Sequence, residues 1–80
     1  MDKETIVKEV KLSIVEVNAY SEDEIHLESS LKDDLQLDSL DQVELIMGIE
    51  KKWDISISDS EALDLIIVQD LINLVETKTK

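Results

Sequence analysis

The 80-residue chain has no cysteine and sets 8 bases against 20 acids, for a net charge of −12. That length allows one domain, 1–80, and the missing cysteines exclude a disulfide framework, a thiolate metal site and a cysteine nucleophile. The acidity excludes direct nucleic-acid binding, which needs a cationic footprint, and leaves partners with basic patches as the ones attracted.

No run of about 18 apolar residues spans a bilayer. No basic, apolar, small-residue leader opens the chain. A soluble, cytoplasmic protein in its mature form, without membrane insertion, is therefore expected. Proline is absent and Gly48 is the only glycine, which disfavours a turn-rich β architecture.

In chain order, the first segment (residues 3–17) sets Ile6, Val10, Ile14 and Val17 at spacings of four, four and three, widened by Val7. This is one stripe of an amphipathic helix, with Asp2 suited to the positive end of its dipole. Residues 18–37 lose the rhythm and hold scattered apolar anchors, Ile25, Leu27, Leu31, Leu35 and Leu37. A connection this long in a small domain tends to be functional or ordered locally by its anchors.

A second helix is expected from "DSLD", with Asp38 as N-cap and Asp41 three residues on as an acidic variant of the capping box. Leu40, Val43 and Met47, followed by Ile46, Ile49 and Trp53, give it a broad apolar face. "DISIS" (54–58) alternates like a strand but has no pairing partner, so it reads as an extended connector burying Ile55 and Ile57. A short third helix follows, capped by Asp59 or Ser60. The last helix carries Val68, Leu71, Ile72 and Val75 on one side, with Lys78 and Lys80 favouring its C-terminal end. The fold class is all-α, a small antiparallel bundle of three main helices plus one short helix.

Charge concentrates near one point. Residues 21–41 carry eight acids and one base, against four acids and three bases in residues 1–20 and eight acids and four bases in residues 42–80. The run converges on Ser39, which lies between Asp38 and Leu40 at the start of the second helix. Such a serine is a cap, a phosphorylation target, a nucleophile or an attachment point.

A nucleophile needs a neighbouring base. His26 is the only histidine and reads as a loop residue, and no G-x-S-x-G elbow is present. A calcium loop built on Asp33, Asp34, Asp38 and Asp41 lacks the required glycine and terminal glutamate, so no metal site is expected. Just inside a helix N-terminus, free N–H groups and the positive dipole end favour an added phosphate. Attachment therefore fits best, and regulatory phosphorylation stays open.

The stretch "DSLDQVELIMGIE" (38–50) resembles the signature of acyl carrier proteins, D-S-L followed by D-x-V-E-L-x-M-x-x-E. The similarity extends upstream through "LKDDL" and downstream to residue 75 without a gap, with the first helix matching by pattern. It implies the acyl-carrier four-helix bundle and a non-enzymatic carrier of acyl intermediates. Ser39 would receive 4′-phosphopantetheine from coenzyme A through a phosphopantetheinyl transferase using magnesium. The arm would end in the thiol that this chain lacks and carry acyl groups as thioesters.

By the same resemblance, Asp38, Leu40, Asp41, Glu44, Met47 and Glu50 would face acyl-transfer, ketosynthase and reductase-type enzymes bearing basic docking patches. The carrier would act as a monomer in fatty-acid or polyketide-type synthesis. Val43, Ile46, Ile57, Ala62, Leu65 and Leu71 would line an acyl cavity, and would be core residues in any case.

Departures from the family pattern are Gln36 for the usual glycine, Lys51 and Lys52 where acids are common, and Trp53 for phenylalanine. Leu63, Ile66 and Ile67 occupy positions often charged or hydroxylated. These keep a specialised aminoacyl, peptidyl or secondary-metabolite carrier open, and beside it an unmodified acidic helical adaptor.

Overall fold

The structure, a computed structural model, describes residues 2–17 and 21–79. Its helices are α1 (Lys3–Val17), α2 (Ser39–Trp53), α3 (Asp59–Leu63) and α4 (Val68–Lys78), with one 3₁₀ turn at Glu22–Glu24. Among the described residues no strand forms, so the expected all-α bundle of three main helices and a short one is the fold.

The helical rhythm of α1 and α4 translates directly into the core. Ile6, Val10 and Ile14 from α1 meet Val68, Leu71, Ile72 and Val75 from α4, all at most 1% exposed. Val7 and Val17, expected on the same stripe, are half-buried at its margin. Ser13, the buried polar residue of α1, donates its hydroxyl to the Glu9 carbonyl at 3.0 Å, so its burial leaves no unpaired oxygen.

In α2 the expected apolar face divides. The core residues are Leu45 and Ile49, 2% and 0% exposed, whereas Leu40, Val43 and Met47 stand outside at 66%, 51% and 61%. Residues two apart on a helix are rotated by about 200°, so burying Leu45 turns its neighbours at 43 and 47 to solvent. Ile46 and Trp53 lie at the boundary, half-buried.

The α2 N-terminus forms as expected. The Asp41 N–H donates to Asp38 Oδ1 at 2.9 Å and the Asp38 N–H to Asp41 Oδ2 at 3.3 Å. Asp38→Ala removes the side-chain acceptor of the Asp41 N–H, leaving the backbone N–H of residue 38 in place, and is expected to cost about 1 kcal/mol, read as a lower urea midpoint with an unchanged slope. The other end stops at Asp54 in the left-handed conformation, φ 54°, which aspartate tolerates better than most residues. Beside that end Lys52 pairs with Glu9 of α1 at 2.9 Å and lies 5.9 Å from the ring centre of the half-buried Trp53.

The short helix α3 is capped by Ser58, not by Asp59 or Ser60. The Glu61 N–H donates to Ser58 Oγ at 3.2 Å and the Ser58 N–H donates back to the Glu61 carboxylate at 2.9 Å. This S-x-x-E box outcompetes the later start because it satisfies two end donors at once. Lys78 of α4 holds the other Glu61 oxygen at 3.0 Å, tying the two helices together. Lys80 lies outside the described residues.

The Glu61 carboxyl is held below its ordinary range, first by the Ser58 N–H and then by Lys78. A depressed carboxylate supports the fold above its unfolded pKa, and that support is lost as pH falls through the lowered value. The residues between α2 and α3 form the expected extended connector, with Ile55 and Ile57 half-buried against the core.

The connection before α2 is held by backbone bonds to the α3–α4 segment. The Leu31 N–H donates to the Ile66 carbonyl at 2.9 Å, Val68 to Ser29 at 3.0 Å and Gln69 to Leu27 at 2.9 Å, with Ser30 and Ile67 forming an isolated antiparallel bridge. Ile25, Leu31, Leu35 and Leu37 anchor it from beneath and are at most 3% exposed, while Leu27 is half-buried.

Candidate functional site

Ser39 is the first residue of α2 and owes its position to the segment before it. Leu35 and Leu37 are buried, and between them Gln36 turns the chain with φ 53°, a left-handed conformation. A non-glycine residue there costs about 1–2 kcal/mol. Gln36→Gly is therefore expected to stabilise the bundle by about 1 kcal/mol, less what glycine adds to unfolded-chain entropy. A raised thermal midpoint checks this.

The Gln42 amide bonds the Leu37 carbonyl at 3.2 Å and steadies the turn from the other side. With Asp38 serving as the cap, the serine is released from that task. Ser39 is exposed, and its hydroxyl makes no hydrogen bond with any described residue. His26 is exposed in the earlier loop, where its backbone N–H donates to Ser29 Oγ at 3.1 Å, and it makes no hydrogen bond to Ser39.

A groove of about 510 Å³ runs beside Ser39, between the preceding loop and the α3–α4 segment. Ala62 and Leu65 line it, as do Leu37, Gln42 and Ile66. Of the residues expected to line an apolar cavity, then, Ala62 and Leu65 border this groove. Ile46 and Ile57 are half-buried away from it, Val43 is half exposed on the outer face of α2, and Leu71 is fully buried in the core.

Of the residues expected to face partners, Asp38, Leu40, Glu44 and Met47 are exposed. Asp41 is half-buried and engaged in the cap. Glu50 is half-buried and accepts the Ile57 N–H at 2.9 Å, so one of its oxygens faces the connector instead.

Leu63 and Ile66, which stand out in the sequence as apolar departures from the family pattern, project at 82% and 65% exposure around the groove. Lys32, the lone base of residues 21–41, also borders it, a placement that the sequence reading missed. Among the described residues no three His, Cys, Asp or Glu side chains gather where they would hold a metal ion. No helix among them is long and apolar enough to cross a membrane.

An unengaged serine hydroxyl at a helix N-terminus, with a groove alongside, suits a phosphate-linked chain: end N–H groups favour the phosphate and apolar walls favour the chain beyond it. Residues 8–75 match the protein family described as a phosphopantetheine attachment site. Over 94% of its length the chain is 41% identical to the acyl carrier protein of Campylobacter lari, covering 97% of that protein. It is 41% identical to the acyl carrier protein of Exiguobacterium sibiricum over 98% of this chain and 99% of the relative. With the acyl carrier protein of Campylobacter jejuni strain RM1221 the identity is 42%, over 90% of this chain and 94% of the relative.

The chain belongs to the acyl carrier protein family. Its members are carriers without catalytic activity of their own, which hold acyl intermediates on 4′-phosphopantetheine. That role entails meeting a phosphopantetheinyl transferase and acyl-processing biosynthetic enzymes.

Proposed function

We propose that Ser39 is the attachment point of the 4′-phosphopantetheine arm and that residues 1–80 act as a single carrier domain, monomeric and cytoplasmic. The observation that carries this reading is an exposed hydroxyl at the first position of α2, free of structural duty because Asp38 caps the helix. The Ser39 oxygen would form the bond to the arm's phosphate, with 3′,5′-adenosine bisphosphate leaving from coenzyme A. The arm supplies a terminal thiol for acyl thioesters.

Around that bond, the N–H groups of the first turn of α2 lend positive charge to the phosphodiester. Ala62 and Leu65 offer apolar wall to whatever the arm carries. Asp38, Leu40, Glu44 and Met47 form the outward surface for transferase, ketosynthase and reductase-type partners with basic patches, with the Asp41 carboxylate at their edge.

A specialised pathway is the second reading, and the exposed Leu63 and Ile66 favour it, since a purely polar α3 rim would serve a housekeeping carrier equally well. Identification of the acyl group bound after purification from the native cell separates the two.

The attachment is tested with coenzyme A, magnesium and a broad-specificity phosphopantetheinyl transferase. One phosphopantetheinyl mass is expected, localised by fragmentation to the peptide containing Ser39. No gain on the folded protein, or a gain on another peptide, removes the reading.

A further inference from the structure

One cation stands in the most acidic stretch of the chain. Residues 21–41 hold eight acids and a single base, Lys32, and that base borders the groove that also holds Ser39.

The backbone of Lys32 is fixed on the rim. Leu31 beside it is 3% exposed and donates its N–H to the Ile66 carbonyl at 2.9 Å. The turn that follows is closed by the Asp34 and Leu35 N–H groups on the Ser30 carbonyl, at 3.1 and 2.9 Å. The Ser30 N–H donates to Asp34 Oδ2 at 2.7 Å, and Ser30 Oγ accepts the Asp33 N–H at 3.1 Å. These bonds engage Ser30 and Asp34 and leave the lysine side chain out of the network. Lys32 is exposed and forms no ion pair with any described residue.

The other polar groups of the rim do not suit an anion. Asp33 and Asp38 repel one, and the Gln42 amide already donates to the Leu37 carbonyl. The first-turn N–H groups of α2 attract one, but that of Asp41 is given to Asp38. A phosphodiester on Ser39 adds negative charge between these acids. A point charge on a flexible four-carbon stem, set on the same groove, supplies the counter-charge.

We propose that the Lys32 ammonium pairs with the phosphodiester of the arm on Ser39. It acts as a positioning residue, laying the first part of the arm along the groove wall of Leu65 and Ile66. The arm then has two holds, one covalent and one ionic. The inference rests on the carrier reading above.

The test loads the full chain and its variants using coenzyme A, magnesium and a broad-specificity transferase, with one arm per molecule confirmed by intact mass. Thermal midpoints are compared with and without the arm. At low salt, loading should raise the wild-type midpoint by about 3 °C more than that of Lys32→Gln. The excess should fall below about 1 °C in molar salt, because the pair is exposed. Lys32→Arg should keep the excess. Lys51→Gln, which removes an exposed base about 18 Å along α2 from Ser39, should keep it as well. Taking differences cancels what each substitution does to the unloaded bundle.

In the loaded wild type, proton NMR should show contacts between the Lys32 ε-methylene and the arm methylene next to the phosphate. The phosphorus resonance of the arm should move on Lys32→Gln. Equal loading shifts in wild type and Lys32→Gln overturn the proposal. Loss of the excess in Lys51→Gln overturns it too, since that marks a general charge effect. Absence of the NMR contacts overturns it even where Lys32→Gln resists loading. A wild type that takes no arm overturns the carrier reading and this inference with it, whereas a loaded wild type without the excess overturns this inference alone.

Discussion

Replacing Ser39 with alanine is expected to abolish phosphopantetheinyl loading while leaving the bundle folded. The loss should be complete, because no other hydroxyl combines exposure with the first position of α2 and its positive dipole end. The fold should hardly respond. The Ser39 hydroxyl makes no hydrogen bond with any described residue, the cap belongs to Asp38, and alanine is the better helix former. The urea midpoint should therefore correspond to a change within about 0.5 kcal/mol of wild type. Ser60→Ala, an exposed serine on α3, serves as the control and should load normally. Intact-mass spectrometry reads both variants, and an arm retained on the Ser39→Ala protein would move the attachment elsewhere.

The second large effect concerns the core. Leu71→Ala is expected to destabilise the protein by about 3 kcal/mol, since the leucine is completely buried where α1 meets α4. For a chain this size the total stability is roughly 4–12 kcal/mol, so the substitution removes about a quarter to three quarters of it. Val43→Ala, half exposed on α2, should cost no more than about 0.5 kcal/mol. Urea unfolding followed by circular dichroism measures both. A Leu71→Ala loss below about 1 kcal/mol would mean that the region around it is loose enough to collapse onto the gap, as an expandable acyl cavity would be.

The contrast between these two positions shows where sequence reasoning reaches and where it stops. In α1 and α4 the apolar residues at spacings of three and four form one dominant stripe, with Leu12, Val15 and Leu74 at its margins, and that stripe is the buried one. In α2 apolar residues occur on both sides of the helix, and periodicity alone gives no rule for choosing between Leu45 and the row of Leu40, Val43 and Met47. The choice is made by α1, which packs against α2 and admits Leu45 and Ile49.

Caps are read more easily than faces because they are local. Asp38 and Asp41 form the expected box, and the Ser58–Glu61 box is present in "SDSE" although the later residues Asp59 and Ser60 compete for it by residue type. The bonds joining Leu27, Ser29 and Leu31 to residues near the start of α4 leave no signal in the sequence, since they link backbone groups some forty residues apart. Ser39 stands out in the sequence because charge, cap and signature coincide there. The groove beside it does not, because its far wall comes from Ala62, Leu65 and Ile66.

The Lys52–Glu9 clasp over Trp53 gives the molecule an optical property. The single tryptophan sits at one end of α2 and Ser39 at the other, about 21 Å apart along the axis. Indole emission should therefore follow melting of the bundle through the departure of its charged lid, and stay nearly constant while cargo is loaded or exchanged at the far end. The protein thus carries an intrinsic gauge of its own integrity that is separate from its traffic.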